Sequence, residues 1–116
     1  SFVLSSQPAI VEYINNLSSV LFNLLDNAIN ACRTADTETP SLSLQISPSK
    51  GFLAVIVKNS KTLHIPFMHS TTKTDAANHG LGLSIVEDIC RKYDGSYQWN
   101  DRGDSFESVV LLRYNK

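Results

Sequence analysis

The sequence predicts a two-layer α/β sandwich, with helices packed on one face of a mixed β-sheet. Three observations carry this. Residues 16–35 repeat apolar side chains at i, i+3 and i+4, the period of an amphipathic helix. Residues 41–46 alternate strictly between polar and apolar, the period of a half-buried strand. The order of elements, helix, two strands, long loop, helix, two strands, contains no internal repeat and no linker, so the helices and strands must cover one another in one unit. The chain's 116 residues, 42% hydrophobic and 18% charged, fit one domain spanning residues 1–116 with a single core.

The elements follow in order. Residues 2–5 read as a short edge strand, broken at Gln7 and Pro8, and residues 9–14 are ambiguous between strand and helix. Asn16 suits the N-cap of the long helix. That helix runs to about Ala35, with Leu17, Leu21, Leu24, Leu25, Ala28 and Cys32 on its apolar face. A strand at 41–46, a turn at 47–51 and a β-branched apolar strand at 52–57 form a hairpin, the second strand being apolar enough to be covered on both faces. Residues 59–79 show little periodicity, and a loop of that length in a compact domain is usually a lid or a binding loop. A second helix opens at Gly80-Leu81-Gly82-Leu83 and buries Ile85, Val86, Ile89, Cys90 and Tyr93. Its far side carries the pairs Glu87–Arg91 and Asp88–Lys92, and Gly95 serves as its C′ stop. Two strands, 96–99 and 106–114, close the chain around the turn 100–104.

Composition excludes several functions. A net charge of −1 without a Lys/Arg cluster argues against nucleic acid or anionic lipid as a partner. No apolar run is long enough to span a bilayer and no signal-peptide pattern is present, so direct membrane contact is not expected of this chain. Cys32 and Cys90 both fall on apolar helix faces without metal spacing, which predicts two buried, reduced thiols and favours a cytoplasmic location. The chain begins at Ser1 rather than Met, as a fragment or processed form would.

Two patterns carry candidate chemistry. Beside the apolar face of the first helix runs a stripe of Asn16, Ser19, Asn23, Asn27, Asn30 and Thr34. A solvated face would favour Lys and Glu, which are better helix formers, whereas Asn competes for backbone hydrogen bonds. Repeated amide oxygens can ligate Mg²⁺ alongside water and phosphate oxygens, although on the helix alone an ordinary polar edge, or Asn side chains bonding neighbouring loops, is the better account of the stripe. The second pattern is a polar loop followed by Gly80-x-Gly82 at a helix start. Unpaired N–H groups and the positive end of the helix dipole would then meet a phosphate. Alone it is weak evidence. It fits neither the dinucleotide fingerprint, since it follows a loop and lacks the third glycine, nor the P-loop, which needs Gly-Lys-Ser/Thr.

Taken together, NLLDNAINAC (residues 23–32), a hairpin, STTK (70–73) and HGLGLSIVEDICRKYDG (79–95) resemble the ATP-binding domain of sensor histidine kinases. That superfamily is shared with gyrase, the Hsp90 chaperones and MutL, and within it the chain is similar to the quorum-peptide-receptor group. The resemblance covers roughly residue 15 to the C-terminus and implies a Bergerat-type fold, ATP and Mg²⁺ as cofactors, and γ-phosphoryl transfer to histidine. By the resemblance, Asn27 is the Mg²⁺ ligand and Asn23 faces the same phosphates. Asn59 stands where the family usually has an Asp that accepts from the adenine amino group. Gly80 and Gly82, with Leu81 and Leu83, form the glycine box beside His79. Phe67 is the lid phenylalanine, and Thr71, Thr72 and Lys73 reach the phosphates from the lid.

Two departures stand out. The family's Asp-x-Gly reads Asn59-Ser60-Lys61, so contact with adenine loses charge assistance. No phosphoacceptor helix is present, and His64, His69 and His79 read as structural or lid residues. The acceptor histidine is therefore expected on a separate dimerisation domain of the same protein, with a response regulator downstream. The chain itself is expected to be monomeric, from the cytoplasmic portion of a membrane-anchored sensor. Where hydrolases of the superfamily place a water-activating Glu, this chain has Asn23, which has no basic site, so no general base is assigned. Two alternatives remain: a Ser/Thr kinase of the anti-sigma-factor type, and a degenerate, non-catalytic signalling or dimerisation module.

Overall fold

The computed structural model describes residues 8–62 and 81–114. Its elements are α1 (Pro8–Arg33), β1 (Leu42–Ser49), β2 (Phe52–Ser60), α2 (Leu81–Lys92), β3 (Ser96–Asp101) and β4 (Ser105–Arg113). The four strands make one sheet in the order β1-β2-β4-β3. Both helices pack on one face of it, as expected of a two-layer sandwich. Among the described residues the pairings are all antiparallel. Strands β2 and β3 do run the same way across the connection through α2, but β4 lies between them, so no parallel ladder forms among the described residues. The strand expected at 2–5 lies outside the described residues.

Helix α1 starts at Pro8, not at Asn16. Proline is well placed in a first helical turn because its missing N–H has no helical acceptor to lose there. The added turns are held by Tyr13, whose hydroxyl donates to the Leu112 carbonyl at 3.1 Å and whose ring meets Tyr93 edge-on at 4.8 Å. Asn16 is therefore an interior helix residue. It donates to the Glu12 carbonyl at 2.9 Å and to the Tyr93 hydroxyl at 3.0 Å, which ties α1 to the end of α2. The buried line of the helix is Val20, Leu24 and Ala28, with Leu17, Leu21 and Leu25 flanking it. The core is centred one residue closer to the Asn stripe than the periodicity suggests, and Val20 at its border is fully buried. Leu24 is 1% exposed, so Leu24→Ala is expected to cost ~2–5 kcal/mol in urea unfolding, through lost burial plus the cavity left behind. A near-neutral shift would mean that the packing face of α1 is misassigned.

The first hairpin closes through Lys50 and Gly51, both with positive φ (52° and 86°). A two-residue turn of this hand matches the twist of antiparallel strands. It is tighter than the expected turn at 47–51, so β1 continues through Pro48, which an edge strand tolerates because no neighbour needs its N–H. Leu42, Leu44 and Ile46 face the helix side opposite Asn59, Val57 and Val55, yet remain 39%, 42% and 43% exposed. Helix α1 lies over β2 and does not reach across the edge. The β2 strand carries Val55 and Val57 into the core. Among the described residues its second face is not covered by another layer, contrary to the expectation of cover on both sides; Phe52 and Ile56 there are shielded only partly. Arg113 stacks over the Phe52 ring at 4.5 Å.

Helix α2 buries Leu83, Val86, Ile89 and Cys90, while Ile85 remains at the surface. Burial pushes the Cys90 thiol up to about 11, so it stays protonated; Cys32 is partly exposed, and both cysteines are free. Arg91 bridges Asp88 at 2.6 Å and Glu87 at 3.9 Å, whereas Lys92 pairs with Glu12 of α1 instead of the expected Asp88. The left-handed residue that ends α2 is Asp94 (φ 50°), not Gly95. Gly95 donates its N–H to the Cys90 carbonyl at 2.8 Å, and a Cβ on it would lie 1.8 Å from the Leu111 carbonyl oxygen. Glycine is required there by the close approach to β4, not by backbone hand. Trp99 on β3 donates to Glu87 of α2 at 2.8 Å and stacks on Tyr97, fastening α2 to the sheet.

Candidate functional site

The two patterns singled out in the sequence meet where α1 passes the first turn of α2. Asn23 turns its amide back along its own helix and donates to the Ser19 carbonyl at 2.8 Å. That leaves its Oδ1 aimed at α2, where a Cβ on Gly82 would lie 2.9 Å from it. Gly82 is thus the residue that lets the Asn helix and the glycine helix touch. One turn further, Asn27 is partly exposed on the same stripe, and its amide has no hydrogen-bond partner among the described residues. The first turn of α2 contains no acidic residue, so the positive end of its dipole is not neutralised from within the helix. Leu83 is 1% exposed in the core, which leaves only its backbone for a ligand.

The third described element of the site is the end of β2. Asn59 is 4% exposed and shares the helix side of the sheet with Leu42 and Phe106 in register. Its Nδ2 donates to the Ser60 carbonyl at 3.0 Å, and its Oδ1 has no partner among the described residues. Lys61, standing where the resemblance would place a glycine, does not have a positive φ, so the backbone there does not need one. Its side chain, 9% exposed, is directed away to Asp101 Oδ1 at 3.1 Å and the Gly103 carbonyl at 2.7 Å. Thr62 donates to the Thr34 carbonyl at the end of α1. The end of β2 is therefore anchored on both sides, to the β3–β4 turn and to the helix. Sequence reading missed this clamp, because Asp101 and Gly103 lie 40 residues and more along the chain from Lys61 and no local pattern signals them.

The residues present fit a nucleotide with a metal. Asn23 fills the space a side chain at Gly82 would take, which brings the amide stripe against the backbone of the α2 start, and a buried acceptor without a partner among the described residues suits a donor on a ligand. No group of three or more His, Cys, Asp or Glu among the described residues forms a metal cage. A cation would thus need phosphate and water oxygens alongside an amide such as that of Asn27. Of the other residues expected in the site, Phe67, Thr71, Thr72, Lys73, His79 and Gly80 lie outside the described residues, and Leu81 is described in its backbone alone. Asn16 is drawn out of the stripe by its bond to Tyr93, the ordinary structural use of an interhelical amide. No helix among the described residues is long and apolar enough to cross a membrane.

Comparison with known proteins agrees with the fold. A protein of Shewanella frigidimarina (strain NCIMB 400) described as a sensor protein is 30% identical over 97 residues, covering 78% of this chain and 14% of its own length. The catalytic domain of the histidine kinase ThkA superposes with a TM-score of 0.64 at 23% identity, over 86% of this chain and 66% of that one. The blue-light-activated histidine kinase of Erythrobacter litoralis gives a TM-score of 0.65 at 16% identity, over 85% of this chain and 46% of that one. Acinetobacter baumannii AdeS, also a histidine kinase, gives 0.61 at 21% identity, over 88% and 47%. The chain thus spans a small part of the curated relative and about half to two thirds of these structures. The model of the GHKL domain matches residues 13–113, and the chain belongs to that family.

Proposed function

We propose that the chain is the ATP-binding catalytic domain of a two-component sensor histidine kinase. In this reading it holds Mg²⁺-ATP for γ-phosphoryl transfer to a histidine on a separate dimerisation domain of the same protein. The observation that carries the reading is the approach of Asn23 to Gly82, which sets amide oxygens beside a helix start free of acidic residues. Asn27 would hold the cation and Asn23 would face the phosphates. Asn59 would meet the base, and the backbone N–H groups of Leu81, Gly82 and Leu83 would meet the phosphate chain. Phe67, Thr71, Thr72, Lys73, His79 and Gly80 would complete the site from the preceding loop. Bound Mg²⁺ supplies charge neutralisation for the transferring phosphoryl group.

The roles of the chain's own residues follow from their chemistry. An amide at position 23 takes no proton, so it cannot activate water, and the γ-phosphoryl group is kept for an imidazole brought by the partner domain. A Ser/Thr kinase would need a base to activate a hydroxyl, and Asn23 does not provide one. A degenerate module was suggested by the lost glycine after Asn59, yet Lys61 keeps ordinary backbone geometry and points away from the site. A response regulator as the next acceptor, a cytoplasmic setting below a membrane anchor and a monomeric state for this chain belong to the same proposal.

Calorimetric titration with a non-hydrolysable ATP analogue, with and without Mg²⁺, tests the binding half. Saturable binding that needs Mg²⁺ is expected; none, in the chain or in the full protein, rejects the reading. Incubating the full protein with γ-labelled ATP tests the other half, where an acid-labile, base-stable label is expected. An acid-stable label would point to a hydroxyl acceptor instead.

A further inference from the structure

The amide of Asn23 is engaged at both ends. Its Nδ2 donates to the Ser19 carbonyl at 2.8 Å and lies 3.4 Å from the Ser19 hydroxyl, which fixes the roll of the amide and leaves Oδ1 aimed at α2. There it fills a notch. A Cβ on Gly82 would lie 2.9 Å from Asn23 Oδ1, 3.6 Å from its Cγ and 3.7 Å from its Cβ, and these are its three nearest neighbours among the described residues. Gly82 does not have a positive φ, so its missing side chain serves space and not backbone hand. The next residues along, Leu24 and Leu83, are each 1% exposed, so the notch sits at the rim of the core, where packing is close.

We propose that Asn23 acts on the site as a positioning residue: its amide is the spacer that seats the first turn of α2 on α1, and a ligand meets the α2 backbone rather than Asn23. The inference rests on the nucleotide-site reading above and narrows it, since position 23 then faces the phosphates without binding them. The nitrogen end of the amide is turned back to Ser19, and the oxygen end has the α2 backbone against it. In a closely packed contact the size of the side chain sets the distance between the elements it separates. Asn27, one turn on, makes no hydrogen bond to a described residue and so differs from Asn23 in kind. The two amides of the stripe thus divide the work: one places the start of α2, and the other is left for the ligand.

The test compares the unmodified chain with Gly82→Ala, Asn23→Ala and the double variant. Calorimetric titration with a non-hydrolysable ATP analogue and Mg²⁺, under conditions where each is folded, reads affinity, and urea midpoints read stability. Gly82→Ala is expected to weaken binding about tenfold or more, because the new methyl meets Asn23 Oδ1 and lifts the first turn of α2 off α1. In the double variant Oδ1 and Cγ are gone, and the nearest contact left is Cβ to Cβ at 3.7 Å, an ordinary packing distance. Affinity is therefore expected to recover about fivefold or more over Gly82→Ala, a non-additivity that a pair of residues each touching the ligand would not show. No recovery in the folded double variant makes Asn23 a ligand contact and overturns the inference while leaving an ATP site in place. Equal affinity in all the folded chains makes the contact structural alone and overturns it as well. Failure of the unmodified chain and of the full protein to bind overturns this inference and the nucleotide-site reading together. If Gly82→Ala does not fold, the double variant is set against Asn23→Ala: the added methyl fills the vacated space and is expected to raise affinity, and no rise overturns the inference.

Discussion

Asn27→Ala is expected to abolish Mg²⁺-dependent ATP binding while leaving the fold intact. The two halves of this expectation have separate causes. Asn27 is partly exposed, makes no hydrogen bond to a described residue and stands outside the buried line of Val20, Leu24 and Ala28. Its truncation removes no core volume and leaves no buried polar group unpaired, so the change in stability should stay within about 0.5 kcal/mol. Alanine is also the better helix former. Binding, by contrast, loses an amide that makes no hydrogen bond to a described residue, one turn along the stripe from the Asn23–Gly82 contact. Calorimetry of Mg²⁺-ATP on the variant, beside its thermal unfolding, reads both quantities. Unchanged affinity would refute the role of Asn27, and a large loss of stability would make it a structural residue.

Gly95→Ala is expected to be strongly destabilising, although Gly95 lies far from the Asn stripe in sequence. A Cβ at this position meets the Leu111 carbonyl oxygen at 1.8 Å and its carbon at 2.9 Å, and both atoms are backbone of a strand paired on either side. Neither can yield as a flexible side chain would. Relief requires α2 to move away from β4, which loosens Cys90, Val86 and the hydrogen bond from Gly95 to the Cys90 carbonyl. A cost of about 3 kcal/mol or more is expected, at the upper end for overpacking. Asp94→Gly is the contrasting control. It relieves a left-handed aspartate while freeing the unfolded chain, two effects that offset to within about 1 kcal/mol. Urea midpoints of the two variants check both, and a near-neutral Gly95→Ala would show that α2 can move off β4 at little cost.

Most of the architecture was legible because helices and strands leave different periods in the sequence. Residues 17–32 and 41–57 have strong ones, and both appear as expected. What was misread depended on contacts between distant residues. Asn16 looked like a cap because its real partner, the Tyr93 hydroxyl, is 77 residues away. Gly95 looked like a helix stop because glycine commonly is one, and the Leu111 carbonyl that excludes a side chain there is invisible to local reading. The exposure of β1 followed from where α1 lies across the sheet, which no strand pattern encodes. Of the proposed site, Asn23, Asn27 and Gly82 stood out in the polar stripe and the Gly-x-Gly, and their roles came from the family resemblance rather than from spacing. The departure at Asn59-Ser60-Lys61 was visible in the sequence, but its harmlessness to the backbone was not, since that rests on a side chain clamped to the opposite turn.

The bond from Trp99 to Glu87 gives the molecule an internal optical gauge. Trp99 is the chain's single tryptophan, and its indole N–H reaches across from the sheet to the helix whose first turn holds Gly82. Indole emission shifts with the electric field and hydrogen bonding at the ring, so any tilt of α2 on the sheet changes colour as well as position. Occupation of the proposed phosphate end of the site can then be followed by intrinsic fluorescence in the unlabelled protein, in real time and without altering a residue of the site itself.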